Sequence, residues 1–494
     1  MPCTTILVGK NASFDGSTMT ARNEDSSSGC FDAKKFVVVE PADQPKNYES
    51  VLSHVKIELP DDSMRYTAMP DAVPKNGIWA AAGVNEANVS MTATETITSN
   101  ERVLAADPLV EYEEAKGDTP EKIGGIGEED IVTITLPYIK SAREGVLRLG
   151  SLLEEFGTYE MNGIAFQDAD EIWWLETIGG HHWIARRVPD DAYVIMPNQF
   201  GIDEFDLDDA LGEGRDHLCS KDLREFINDN HLDLEPDAEA PFNPRLAFGS
   251  HSDADHIYNT PRAWYMARYF NRNSVNWDGA DADFKPDSDD IPWCLTPEHR
   301  ITVEDVKYVL SSHFQGTPYD PYANHGPENM RNAFRSIGVN RNNFLSLVQI
   351  RPYMPMENSV IEWVAFGSNV FNAFVPFYAN ITTTPEYFAN TDKKVTTESF
   401  YWANRIIAAM ADASFNECSP HIERYQESIP AKALHTILEF DKEIINSGNT
   451  GTCLQEEANQ KISDMVREAT DELLDHVLYE RSCKMKNAFS RSDA

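Results

Sequence analysis

Three residues near the start of the chain, Cys3, Arg22 and Asp25, are of the types needed for acyl transfer on a thiol. A free α-amine has a pKa of about 7.7–8.0 and a cysteine thiol one of about 8.5, so an N-terminal cysteine carries its own general base near neutrality. Such a nucleophile needs no catalytic histidine. A guanidinium beside the sulfur, here Arg22, favours the thiolate, and a carboxylate, here Asp25, holds the α-ammonium in position. While Met1-Pro2 precedes Cys3 its nitrogen is a non-basic amide, so the scheme requires both residues to be removed. The plainer reading of Cys3 is a small buried hydrophobe, the role of most free cysteines.

The elements that must position these groups are short. Thr4 to Val8 is a β-branched and aliphatic run that reads as a buried strand, Lys10 to Gly16 supplies turn residues, and Ser17 to Asn23 reads as a returning strand. Each arm spans about 20 Å at about 3.3 Å per residue, so an equal-armed hairpin brings Arg22 back beside Cys3.

The strings Cys3-Thr4-Thr5-Ile6-Leu7-Val8-Gly9-Lys10, Asp15-Gly16-Ser17-Thr18-Met19 and Ala21-Arg22-Asn23-Glu24-Asp25 resemble the N-terminus of the peptidase family C69 dipeptidases. These are N-terminal-nucleophile hydrolases, related to the choloylglycine and penicillin V acylases. Further matches to the pattern are the turn Gly83-Val84-Asn85-Glu86, the run Asn259-Thr260-Pro261-Arg262, Gly316 to Tyr322 and Phe374-Val375-Pro376-Phe377-Tyr378-Ala379. The resemblance spans about Cys3 to Ala379.

It implies an α+β fold, a four-layer αββα sandwich, with residues 1–398 forming the catalytic domain with helical insertions and 399–494 a helical C-terminal extension packed on it. It implies hydrolysis of dipeptides through an acyl-enzyme on Cys3, with Arg22, Asp25, Asn198 and Arg262 as its catalytic companions. Asn198, after Tyr193-Val194-Ile195-Met196-Pro197, matches the asparagine whose amide polarises the scissile carbonyl. Arg262 is presented from the first turn of a helix that Thr260 caps and Pro261 opens, either to buttress the nucleophile or to pair with a substrate carboxylate, and Arg245 is the fallback for that role. Where acylase relatives place an oxyanion-hole asparagine this chain has Thr94-Glu95, so Glu95 is expected to meet a substrate's α-ammonium. Two other readings stay open: an amidohydrolase or acylase acting on N-acyl amides, and a non-catalytic, secernin-like interaction protein.

The remaining sequence narrows the field. Ile172 to Pro189 reads as a hairpin about Gly179-Gly180, and His181 and His182, as strand neighbours, point to opposite faces and cannot share one metal. His182 is therefore placed among substrate-lining residues with Thr94 and Glu95. No metal and no cofactor is expected, for there is no HExxH, CxxC or phosphate-loop pattern. The 494 residues carry 42 Lys and Arg against 81 Asp and Glu, a formal charge of -39 whose field repels nucleic acid and anionic membranes. Seven scattered cysteines without a disulfide spacing, and no signal-peptide pattern, lead to an expectation of cytoplasmic residence. A small peptide is the expected partner. Ile139 to Phe156 has helical spacing and Ile131 to Leu136 fits a strand or a helix start. Beyond Ser399 the pattern is helical, and the apolar stripe from Leu454 to Leu478 suits core or subunit contact, so a homo-oligomer is expected.

Overall fold

The computed structural model describes residues 3–27, 29–237, 240–448 and 451–486. Its first strand, β1 (Cys3–Val8), is buried along its whole length and pairs antiparallel with β2 (Thr18–Asp25). The register sets Cys3 opposite Glu24 and Thr5 opposite Arg22. The expected hairpin is therefore formed, and Arg22 returns to two strand positions from the cysteine, on the same face.

This pair is central to a seven-stranded antiparallel sheet in the order Cys294–Leu295, Tyr193–Met196, β1, β2, Asn342–Ile350, Val360–Phe366, Val375–Tyr378. A second antiparallel sheet runs His217–Cys219, His182–Arg187, Ile172–Ile178, Asn162–Gln167, Ser90–Thr92, Ala82–Val84, with the short strand Glu95–Thr96 also paired to Asn162–Gln167. The two-residue period of β1 separates two cores. Leu7 joins Trp174, Ile184, Val194 and Met196, residues of both sheets, in one cluster. Ile6 and Val8 face the other way, into a cluster with Trp264, Met266 and Val306 from helices Thr260–Phe270 and Val303–Leu310. A strand that packs an apolar layer on each face has no solvent side, which is why β1 ends in the continuous apolar run Ile6 to Val8 after Thr4 and Thr5.

On the far side of the second sheet lies helix Ala142–Phe156, whose Val146, Leu149 and Leu153 pack with Phe166, Trp173 and Trp183. Glycine allows this close approach: a Cβ at Gly145 would lie 2.3 Å from the Phe166 ring and one at Gly150 2.4 Å from the Trp183 indole. Helices Phe400–Ala411, Phe415–Ser447 and Cys453–Cys483 bring Ile407, Ile429, Ile437, Ile462 and Val466 into the same cluster as Ile6. A buried polar tie fixes them to the first sheet: Asp441 accepts from Arg351 Nη1 at 2.7 Å, the Tyr378 hydroxyl at 2.8 Å and Asn358 Nδ2 at 3.0 Å.

The molecule is thus a mixture of antiparallel sheets and helices with a helical C-terminal region, the coarse class expected. Three local expectations are corrected or decided. Ile131 to Leu136 belongs to a helix, Glu128–Thr135, and its following turn, because Asp130 closes a capping interaction on the Gly127 N–H. Thr260 is the first residue of its helix and its hydroxyl donates to Pro286 O, so Asn259 occupies the cap position. His181 and His182 do not diverge: His181 lies in the turn before the strand, and both Nδ1 atoms reach the Asp107 carboxylate, at 2.9 and 2.7 Å. Among the described residues no helix is long and apolar enough to cross a membrane, and no disulfide joins the cysteines.

Candidate active site

Cys3 begins β1, so its backbone is held by strand pairing on one side only and its nitrogen lies at the end of the ladder. That nitrogen donates to Asn198 Oδ1 at 3.1 Å. The sulfur, fully buried, receives Arg22 Nη2 at 3.0 Å. Arg22 reaches it because Thr5, two positions along the same face, is its cross-strand partner. The guanidinium is fixed on all sides: Nε and Nη2 donate to Thr94 O at 2.9 and 2.6 Å, Nη2 pairs with Glu128 Oε1 at 2.6 Å, and Nη1 lies 3.4 Å from Glu24 Oε2 and from Ala81 O.

Asn198 and Arg262 form the other wall. Arg262 Nη2 donates to Asn198 Oδ1 and Asn259 Oδ1, both at 2.7 Å, and Nη1 to Thr4 Oγ1 at 2.7 Å and to the Cys3 carbonyl. Its Nε donates to Tyr258 O at 2.6 Å. All five N–H donors of the side chain are used, which makes Arg262 the buttress of the Cys3 peptide unit and leaves it none for a substrate carboxylate. Arg245, the fallback, holds a loop instead, through Gly201 O, Asp289 O and Ile291 O.

Between these walls lies Thr94–Thr96. Arg22 grips the Thr94 carbonyl, and Asn198 Nδ2 donates to the Thr96 carbonyl at 2.9 Å. Glu95, held between the two, is fully buried. Its Oε2 accepts from Thr5 Oγ1 at 2.8 Å and its Oε1 has no hydrogen-bond partner among the described residues. Burial pushes the Glu95 carboxyl up to about 8 against the pull of Arg262 and Arg22.

The charges decide the state of the nucleophile. Burial pushes the Cys3 thiol up to about 12; Arg22 opposes this, while Glu95 and Glu128 add to it. Arg22 pulls toward the thiolate, but burial together with two carboxylates outweighs one guanidinium and holds the thiol above its ordinary range. Arg22 stays charged, held above its ordinary range because Cys3, Glu128 and Glu24 together outweigh its burial. Burial lowers Arg262 to about 10, so it too is a cation at neutral pH.

Asp25 stands elsewhere than expected. It pairs with the Arg335 guanidinium and accepts from Asn342 Nδ2, while the Cys3 nitrogen is given to Asn198. The cause is register: Glu24, not Asp25, is opposite Cys3. His182 is not brought to this cluster. Its ring is bound to Asp107 and stacks on Phe226 at 3.9 Å between centroids, at the far end of the second sheet. Glu128 and Arg335 escaped the sequence reading. One is among 81 acidic residues and the other is in a stretch without periodicity, so neither carries a local signal. No cluster of described residues has the donors for a metal ion.

The chain matches the peptidase family C69 over residues 2–428. Three curated relatives align along nearly the whole chain. A dipeptidase of Bifidobacterium longum is 57% identical with all of both chains covered. A probable dipeptidase A of Streptococcus pyogenes is 53% identical over 99% of this chain and 98% of its own. Dipeptidase A of Lactobacillus helveticus is 46% identical over 97% and 96%. The family match runs through the segments that supply Cys3, Arg22, Glu95, Asn198 and Arg262 alike, and on that evidence the chain belongs to peptidase family C69.

Proposed function

We propose that this protein is a dipeptidase with an N-terminal-nucleophile αββα core, in which Cys3 attacks the peptide carbonyl and carries the acyl group. The observation that carries the reading is the double hold on one residue: Arg22 on the sulfur at 3.0 Å and Asn198 Oδ1 on the nitrogen at 3.1 Å. The names of the relatives, all dipeptidases, support the substrate class.

Removal of Met1-Pro2 turns the Cys3 amide into an amine already seated at Asn198. That amine takes the thiol proton as sulfur bonds to the substrate carbonyl carbon. The oxygen becomes an oxyanion, and the family resemblance gives its stabilisation to the Asn198 amide, whose Nδ2 donates to the Thr96 carbonyl beside the cysteine. Collapse breaks the C–N bond, the ammonium of Cys3 returns the proton to the leaving amine, and a thioester remains. Water, deprotonated by the same amine, adds to the thioester and releases the first amino acid with the thiol restored. Arg22 holds the sulfur throughout and Arg262 holds the peptide unit to which it belongs. Glu95 Oε1, a buried acceptor without a partner among the described residues, suits the α-ammonium of a free dipeptide.

The test is a matched pair. Free alanylalanine should be hydrolysed and N-acetylalanylalanine should be a poor substrate by at least 100-fold, because acetylation removes the cation that would ionise and pair the buried Glu95 carboxyl and leaves its Oε1 without a donor. The reverse preference would make the protein an acylase, and Cys3→Ala protein with undiminished turnover would end the mechanism.

A further inference from the structure

Among the described residues four guanidinium groups are buried in or beside this site, and three are saturated. Arg22 is spent on sulfur, two carbonyls and two carboxylates, Arg262 on five acceptors and Arg245 on loop carbonyls. Arg335 differs. Its residue is only 9% exposed and, among the described residues, it has one partner, the Asp25 carboxylate, while Nε and Nη1 are buried with no hydrogen-bond acceptor. A desolvated guanidinium with idle donors is costly unless a ligand supplies the acceptors.

The position is suited to the substrate. Asp25 directly follows Glu24, the cross-strand partner of Cys3, so the Arg335 head group is anchored at the end of the ladder where β1 begins. Its backbone N–H donates to Ile257 O at 3.0 Å, one residue before the Tyr258 carbonyl that holds Arg262. Arg335 lies near enough to Cys3 to be drawn by its sulfur, and both Arg335 and Arg262 are repelled by Arg341, so the three guanidinium groups share one side of the cysteine.

We propose that Arg335 binds the terminal carboxylate of the substrate, and so restricts cleavage to peptides whose second residue is the last. The inference rests on the dipeptidase reading above. A free dipeptide is a zwitterion, and the two sets of unpartnered buried atoms are its complement: Glu95 Oε1 for the ammonium, Arg335 Nε and Nη1 for the carboxylate. The fork of Nε and one Nη matches a carboxylate in two parallel hydrogen bonds, which a lysine cannot reproduce. Binding both ends at a fixed separation rejects a longer peptide, whose second residue ends in an amide.

The experiment compares alanylalanine with its C-terminal amide on wild-type, Arg335→Gln, Arg335→Lys and Cys3→Ala proteins. Wild type should favour the acid at least 100-fold in kcat/KM. Arg335→Gln should abolish that preference, chiefly through KM on the acid, with the amide changed less than threefold. Arg335→Lys, which keeps the charge beside Asp25, should retain about a tenth of the activity on the acid and leave the amide rate unaltered. Equal losses on acid and amide in both variants would make Arg335 a support for Asp25 only and overturn the assignment, as would a wild type indifferent to amidation. Because preference is a ratio, partial misfolding of a variant divides out. Full activity of Cys3→Ala would instead refute the underlying reading of the site, a separate outcome.

Discussion

Replacing Glu95 by Gln should make the protein more stable at high pH and leave it nearly unchanged in acid. The group is fully buried with one oxygen on Thr5 and the other without a partner among the described residues, and burial moves its carboxyl from 4.5 to about 8. A carboxyl raised in the folded state keeps a proton that the unfolded chain has lost. Its contribution therefore declines as pH rises from about 4.5 and is fully lost above about 8. The displacement corresponds to about 5 kcal/mol at about 1.4 kcal/mol per tenfold change. With an unfolding entropy of about 2.1 cal/mol/K per residue, 494 residues give about 1 kcal/mol/K, so the gap in Tm should be about 5 °C. Gln keeps an acceptor for Thr5 Oγ1 and has no charge to desolvate. Thermal unfolding of both proteins from pH 4.5 to 9 should show curves that coincide in acid and separate by about 5 °C at pH 9, the variant higher. A gap independent of pH, or one that opens in acid, would refute the burial of a cation-seeking carboxylate at this position. The same substitution should also remove the preference for a free over an acetylated amino terminus.

Three further outcomes follow from contacts already described. Arg262→Lys retains the charge but cannot serve five acceptors, and orphaning about three of them at about 1 kcal/mol each should lower Tm by about 3 °C. Its kcat should fall at least 100-fold, read by steady-state assay, with cooperative unfolding preserved. Gly150→Ala places a Cβ against the Trp183 indole and should cost about 1–3 kcal/mol without altering KM, checked by denaturant unfolding and kinetics. Cys3→Ser should keep the fold and lose most turnover, since the hydroxyl is the weaker nucleophile near neutral pH; circular dichroism and rate together check it.

What the sequence made legible was what is local. The β1–β2 hairpin follows from a buried apolar run, a turn and a second short strand, and its register alone sets Arg22 near Cys3. Asn198 and Arg262 came from the family resemblance, and the geometry brings both to Cys3. The partners of Asp25 were illegible because they depend on Arg335 and Asn342, more than 300 residues away. His182 misled because alternation on a strand does not govern a residue pair that straddles a turn, and Asp107, which gathers both rings, has no pattern of its own. The state of the Cys3 thiol was beyond a sequence, since it is set by total burial against the summed charges of Arg22, Glu95 and Glu128.

The central claim is that Cys3 acts with its own amine as base. Active enzyme quenched in acid during turnover of alanylalanine and digested for mass spectrometry tests it in one measurement. The expected result is an N-terminal peptide that starts at Cys3, a fraction of it carrying one alanyl group as a thioester on that residue. Fully active protein whose N-terminal peptide still contains Pro2 would contradict it.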